Sequence, residues 1–206
     1  MVFDGIIISF IVGFLRKGNL RALAQLKLKW GWIFPLLLIV ELAVFMLQND
    51  SKILGQISGS IYIVVYVLGL LFLFMNSKNQ GFMLILIGVF LNFLVMVING
   101  GRMPVSVEAA AVLDPGYIEA LKDSLYAKHT MLNSSTHLGF LGDVIPISDP
   151  YPRTQIISIG DIIMNIGIFF FIQYLMVHHP LTKNVVTAPP LLKGGEKDEK
   201  GTKTGY

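Results

Sequence analysis

The feature that most constrains this chain is a succession of long apolar runs that are nearly free of charge. A helix needs about 20 apolar residues to cross a roughly 30 Å hydrocarbon core. Trp30–Leu47, Ile57–Met75 and Ile156–Val177 approach or reach that length, and Gly81–Ile98 is slightly shorter but uncharged. Val2–Leu15 is shorter still and carries Asp4, so it reads as a tilted span, a half-buried helix or a signal anchor. A cleavable signal peptide fits poorly, because the positive charge follows the apolar run and no small-x-small cleavage site is evident.

Composition excludes the main alternatives. Apolar residues make up 54% of the chain and charged residues 14%, against about 25% charged in ordinary soluble domains. The mean hydropathy of +0.68 agrees, and a soluble globular enzyme is excluded. The chain has no cysteine, which rules out disulfides, iron–sulfur clusters and thiolate zinc sites. A net charge of +3 is too small, and too confined to two short segments, to suggest nucleic acid. The expected fold is all-α: a polytopic membrane bundle of about five spans with an outer helical cap. Residues 1–98 hold four membrane segments, 99–155 the cap, 156–179 the last span and 180–206 a largely disordered tail.

Orientation follows from the basic residues. Arg16, Lys17, Arg21, Lys27 and Lys29 lie between the first two runs without an acidic neighbour. That loop is expected in the cytoplasm, together with Lys78 and the lysine-rich tail. The N-terminus is then outside and the C-terminus inside. The segment Asn99–Gln155 falls outside, where acidic residues outnumber basic ones. Trp30 and Trp32 sit at the inner boundary, as amphipathic indoles prefer.

The outer segment is far longer than a turn requires, and loops of that length are usually functional or disordered. Ser106–Leu113 and Tyr117–Ala127 read as short helices separated by the turn Asp114-Pro115-Gly116. Polar and glycine-rich stretches frame them. These are Asn99-Gly100-Gly101-Arg102-Met103-Pro104-Val105-Ser106, the run from Lys128 to His137, Leu141-Gly142-Asp143-Val144-Ile145-Pro146, and Ser158-Ile159-Gly160-Asp161. No nucleotide-binding glycine motif is present.

This combination resembles a family of bacterial multi-span membrane proteins of unknown function. The resemblance rests on the basic first loop and the N-G-G-x-M-P-V-S, L-G-D-V-I-P and S-x-G-D stretches. It covers most of residues 1–177 and implies no activity. A narrower resemblance is to lipoprotein signal peptidases, which place one aspartate in a V-D-F-I-like stretch and another in F-N-x-A-D-x-x-I-x-x-G. Asp143 and Asp161 have a similar separation, and Gly167 follows Asp161 at the motif's distance. Ser158 and Gly160 stand where that motif has asparagine and alanine. The peptidases' N-x-x-D-R stretch has no equivalent, and the order of the remaining parts differs.

Each polar group supports a functional and a structural reading. Asp143 and Asp161 fit an aspartyl dyad sharing one proton; equally, Asp143 fits a turn and Asp161 a helix start. Asn99, Arg102, His129 and His137 are candidates for binding a substrate at the outer boundary. Two histidines fall short of a zinc ligand set, and no metal or cofactor is expected. Glu41, Asn92 and Asn165 lie inside apolar runs. A carboxyl there costs about 2.5–3.5 kcal/mol, so Glu41 reads as a proton or cation site or as a carboxyl hydrogen-bonded to Asn92 or Asn165. Expected contacts are membrane lipids, with a membrane-protein partner or a lipid or peptide substrate. Function reads as binding or accessory, as hydrolase through the aspartates, or as a small transporter. The absence of repeat symmetry weakens the last.

Overall fold

The computed structural model describes residues 2–48, 51–113, 118, 121 and 128–178. It is mostly helical, and its helices follow the apolar runs. Helix α1 spans Val2–Leu15, α2 Arg21–Ala24, α3 Ile33–Leu47, α4 Lys52–Met75 and α5 Phe82–Ile98. After α5 come strand β1 (Met103–Val105), helix α6 (Val107–Ala110) and strand β2 (His129–Met131). A 3-10 turn (Gly139–Leu141) and strands β3 (Ile145–Ile147) and β4 (Gln155–Ile157) lead to helix α7 (Ile159–Gln173), which ends in a π turn (Tyr174–His178). Among the described residues two helical stretches, Ile53–Met75 and Ile159–Val177, are long and apolar enough to cross a membrane. Asp4–Leu15, Ile33–Leu47 and Phe82–Ile98 are shorter apolar helices.

The helices pack in the spatial order α1, α7, α5, α4, α3. Glycine makes the closest contact possible. A Cβ on Gly88 of α5 would strike the Gly160 carbonyl and the Met164 backbone of α7, so only a residue without a side chain lets these backbones meet. The two ends of the bundle differ in chemistry. At one end Lys29 N–H donates to Asn76 Oδ1 (2.9 Å), and Asn76 Nδ2 donates back to the Lys29 carbonyl (3.0 Å). Arg16 Nη1 donates to Gln173 Oε1 at the same end (2.9 Å). This basic end is closed by a cluster of Phe72, Leu73 and Phe82. The opposite end carries the described residues 99–113 and 128–157 as a cap, whose Met103 and Leu141 join Val44, Tyr62, Val95 and Met96 in a cluster.

The described part of the cap contains extended structure beyond the expected helices. It is built mainly on two small sheets. β1 pairs in parallel with β2, and β3 pairs antiparallel with β4. The segments are short, and Pro104 and Pro146 stand at the centres of β1 and β3, which suits extended structure better than helix. The expected helix over Ser106–Leu113 contracts to α6, capped by Ser106 Oγ accepting from Ala109 N–H (3.2 Å). Ile156 and Ile157, expected in the last span, instead pair with Pro146 and Ile145. The turn at Asp114-Pro115-Gly116, most of Tyr117–Ala127 and the tail 180–206 lie outside the described residues.

Candidate binding site

Strand β1 positions the site. Its three residues are buried, and it is flanked on both sides. On one flank the Met103 N–H donates to the Lys128 carbonyl (2.6 Å) and the Leu132 N–H to the Val105 carbonyl (2.8 Å), setting His129 opposite Met103. On the other flank the Asp143 N–H donates to the Pro104 carbonyl (2.8 Å), and the Ser106 N–H donates to the Asp143 carbonyl (3.0 Å). Gly142 explains the approach, since a Cβ there would collide with the Pro104 carbonyl. Two segments distant in sequence thus bring His129 Nε2 to 3.4 Å from Asp143 Oδ2.

That pair is deeply set. The Asp143 side chain is 10% exposed and that of His129 19%. Asp143 Oδ1 has no hydrogen-bond partner. A buried acceptor left unpaired costs about 1–3 kcal/mol, more when charged.

Asp161 is held differently. Its N–H donates to Ser158 Oγ (3.0 Å), and the Ser158 N–H donates to Asp161 Oδ2 (3.2 Å). This reciprocal box starts α7. Asn92 of α5 completes it, its Nδ2 donating to Asp161 Oδ1 (3.0 Å) while its Oδ1 accepts from Ser158 Oγ (2.8 Å). Both carboxylate oxygens of Asp161 are therefore engaged at a helix N-terminus. The charges of Asp143 and Asp161 nevertheless act on each other.

A third carboxylate lies nearby with its own partner. Lys128 Nζ donates to Glu41 Oε1 at 2.7 Å and stands 5.8 Å from the centroid of the Tyr66 ring. This corrects the expectation that Glu41 bonds to Asn92 or Asn165. Asn92 belongs to the α7 box, and Asn165 Nδ2 donates to the Asp161 carbonyl (2.8 Å). Tyr66 and Glu41 raise Lys128 above the ordinary lysine range, against the desolvation that lowers it. Tyr62, 1% exposed, adds a buried hydroxyl without a hydrogen-bond partner.

The remaining candidates lie apart from Asp143. Asn99 is a clamp on the chain. Its Nδ2 donates to the Val95 and His137 carbonyls (2.7 and 2.9 Å), and its Oδ1 accepts from the His137 N–H (3.0 Å). The His137 residue itself is exposed. Arg102 reaches α4, donating to the Gly55 carbonyl (3.1 Å) and Ser58 Oγ (2.7 Å). Of the four residues expected to bind substrate, His129 is seen to join an aspartate among the described residues. The sequence reading gave Lys128, Tyr62 and Tyr66 no role in the site. No local signal marks them, because Lys128 meets Glu41 and Tyr66 only through the fold.

Residues 25–173 match a family of unknown function, DUF5317. An uncharacterized protein of Thermotoga maritima is 30% identical over 171 residues, covering 83% of this chain and 89% of that protein. No solved structure matches the chain.

Proposed function

The chain belongs to the DUF5317 family of unknown function, which brings no activity with it, and we infer from the geometry that it is a five-span membrane protein that binds a ligand beneath an outward-facing cap. Its role is binding or accessory. The observation that carries this is Asp143: a buried carboxylate, contacted by His129, with one oxygen unpaired. A hydrogen-bond donor on a bound ligand would satisfy that oxygen.

The surface supports the membrane setting. Ile53 is 72% exposed, Phe74 66% and Ile39 63%. Soluble monomers rarely expose contiguous apolar patches of such extent. Helices α1, α3 and α5 are short for a full bilayer, and local thinning at a modest cost accommodates spans of that kind. The uniformly basic loop favours the cytoplasmic side for its end of the bundle, leaving the cap outside.

The absence of native cysteine makes the orientation directly testable. Ser135→Cys in the cap reacts with a membrane-impermeant maleimide in intact cells. Lys78→Cys at the basic end reacts only after permeabilisation. The opposite pattern, or recovery of the chain in the soluble fraction, overturns the reading.

A second reading draws on the charge interaction between Asp143 and Asp161. A shared-proton hydrolase would need both carboxylates. It predicts that Asp143→Asn and Asp161→Asn each abolish cleavage of a lipopeptide by the purified chain. The engagement of both Asp161 oxygens in the α7 box favours binding over hydrolysis.

A further inference from the structure

The charges of three carboxylates, Glu41, Asp143 and Asp161, a loose set beneath the cap, all act on Tyr66. Their compensation is uneven. Glu41 has the Lys128 ammonium at 2.7 Å. Asp161 has Asn92, the Ser158 N–H and the N-terminus of α7. Among the described residues Asp143 has one polar side-chain partner, His129 Nε2 at 3.4 Å, and its Oδ1 has none. A buried carboxylate that is not fully paired is costly, and the charge on Asp161 adds repulsion. A second group is also unpaired, the Tyr62 hydroxyl on α4, which lies within electrostatic reach of Glu41 and Lys128.

These observations describe a place for one positively charged hydrogen-bond donor. Among the described residues no three His, Asp or Glu side chains are grouped to hold a metal ion, so the donor set is too sparse for a divalent cation. The set already houses one primary ammonium. Lys128 sits between a carboxylate and an aromatic ring, a favourable setting for such a cation.

We propose that Asp143 binds a second primary ammonium group, supplied by a small amine or by the headgroup of an aminophospholipid. The ammonium donates to Asp143 Oδ1, and His129 occupies the Oδ2 side. A quaternary ammonium carries the same charge without an N–H and cannot satisfy the acceptor. This assignment rests on the binding role inferred above and narrows it to one chemistry.

The test follows thermal unfolding of the full chain in phosphatidylcholine nanodiscs. Methylammonium chloride is titrated against tetramethylammonium chloride at equal ionic strength. Methylammonium is expected to raise the Tm saturably, by roughly 2–4 °C at about five times its Kd, with no such rise from tetramethylammonium. Asp143→Asn abolishes the difference. If nanodiscs containing phosphatidylethanolamine give the same rise without added amine, the headgroup is the source; if they do not, a soluble amine is. Equal responses to the two salts, or an undiminished methylammonium response in Asp143→Asn, overturn the proposal. The comparison of salts on the unaltered chain stands even where a variant does not fold. A maleimide pattern that places the cap outside, together with equal salt responses, retains the orientation and removes the ammonium.

Discussion

Lys128 and Glu41 are 87 positions apart in sequence, yet their Nζ and Oε1 atoms lie 2.7 Å apart. The pair fastens the cap to α3, a helix that otherwise packs chiefly on α4. It also gives the carboxylate in the middle of an apolar helix a partner. A buried or half-buried charge is tolerated when its neighbour compensates it, and removing one member strands the other.

Glu41→Gln is therefore expected to loosen the cap. Because both side chains are partly exposed, the coupling measured with Lys128→Met in a double-mutant cycle should be about 1 kcal/mol. Chemical unfolding in nanodiscs measures it. Two independent, additive losses would show that the pair does not act as a unit.

The pH dependence of that contribution has a definite sign. Tyr66 and Glu41 raise Lys128 in the folded state, so folding favours its protonated form. The stabilisation is complete below the unfolded lysine value of about 10.4 and fades only as pH rises through the higher folded value. The stability contributed through Lys128 should therefore be constant from about pH 6 to pH 9. A decline within that interval would contradict the assignment.

Asn92 joins α5 to the start of α7 by two side-chain bonds. Asn92→Ala leaves the Ser158 hydroxyl and one Asp161 oxygen without that partner in a buried setting, an expected loss of about 2–3 kcal/mol. Gly88→Ala acts on the same interface through space. Its new Cβ would meet backbone of α7, and overpacking of this kind costs about 1–3 kcal/mol. Thermal unfolding of each variant checks both values.

Asn99→Ala tests the clamp on the cap. Two bonds to the His137 backbone disappear, so amides from 132 to 141 should exchange faster with solvent while the helices keep their protection. Faster exchange across the helices as well would show that Asn99 supports the bundle and not the cap alone.

How much of this was legible in the sequence depends on the range of each interaction. Helix α1 coincides with the expected Val2–Leu15 run, and α3, α4 and α5 follow their apolar stretches with shifted ends. The last span was legible as an apolar run, but its start was set two residues early, because Ile156 and Ile157 are as apolar as the helix that Ser158 caps. The cap was not legible. Its strands are three residues each, too short for alternation to show, and their pairing depends on where the intervening chain travels. For the same reason Glu41 was matched to the intramembrane amides and not to Lys128. Asp143 was singled out from its motif, but its asymmetry with Asp161 emerges only once the partners of every oxygen are known.

That asymmetry separates the two aspartates: Asp161 is bound into the start of α7, and the proposed binding role falls to Asp143. The most direct test compares the unfolding free energies of Asp143→Asn and Asp161→Asn in nanodiscs free of amines. Asp161→Asn disrupts the box that starts α7 and should lose about 1–2 kcal/mol. Asp143→Asn removes an incompletely paired buried charge while preserving shape, and should be as stable as the unaltered chain or more so. If Asp143→Asn is destabilised as much as Asp161→Asn, Asp143 is a structural residue and the site beneath the cap is not a binding site.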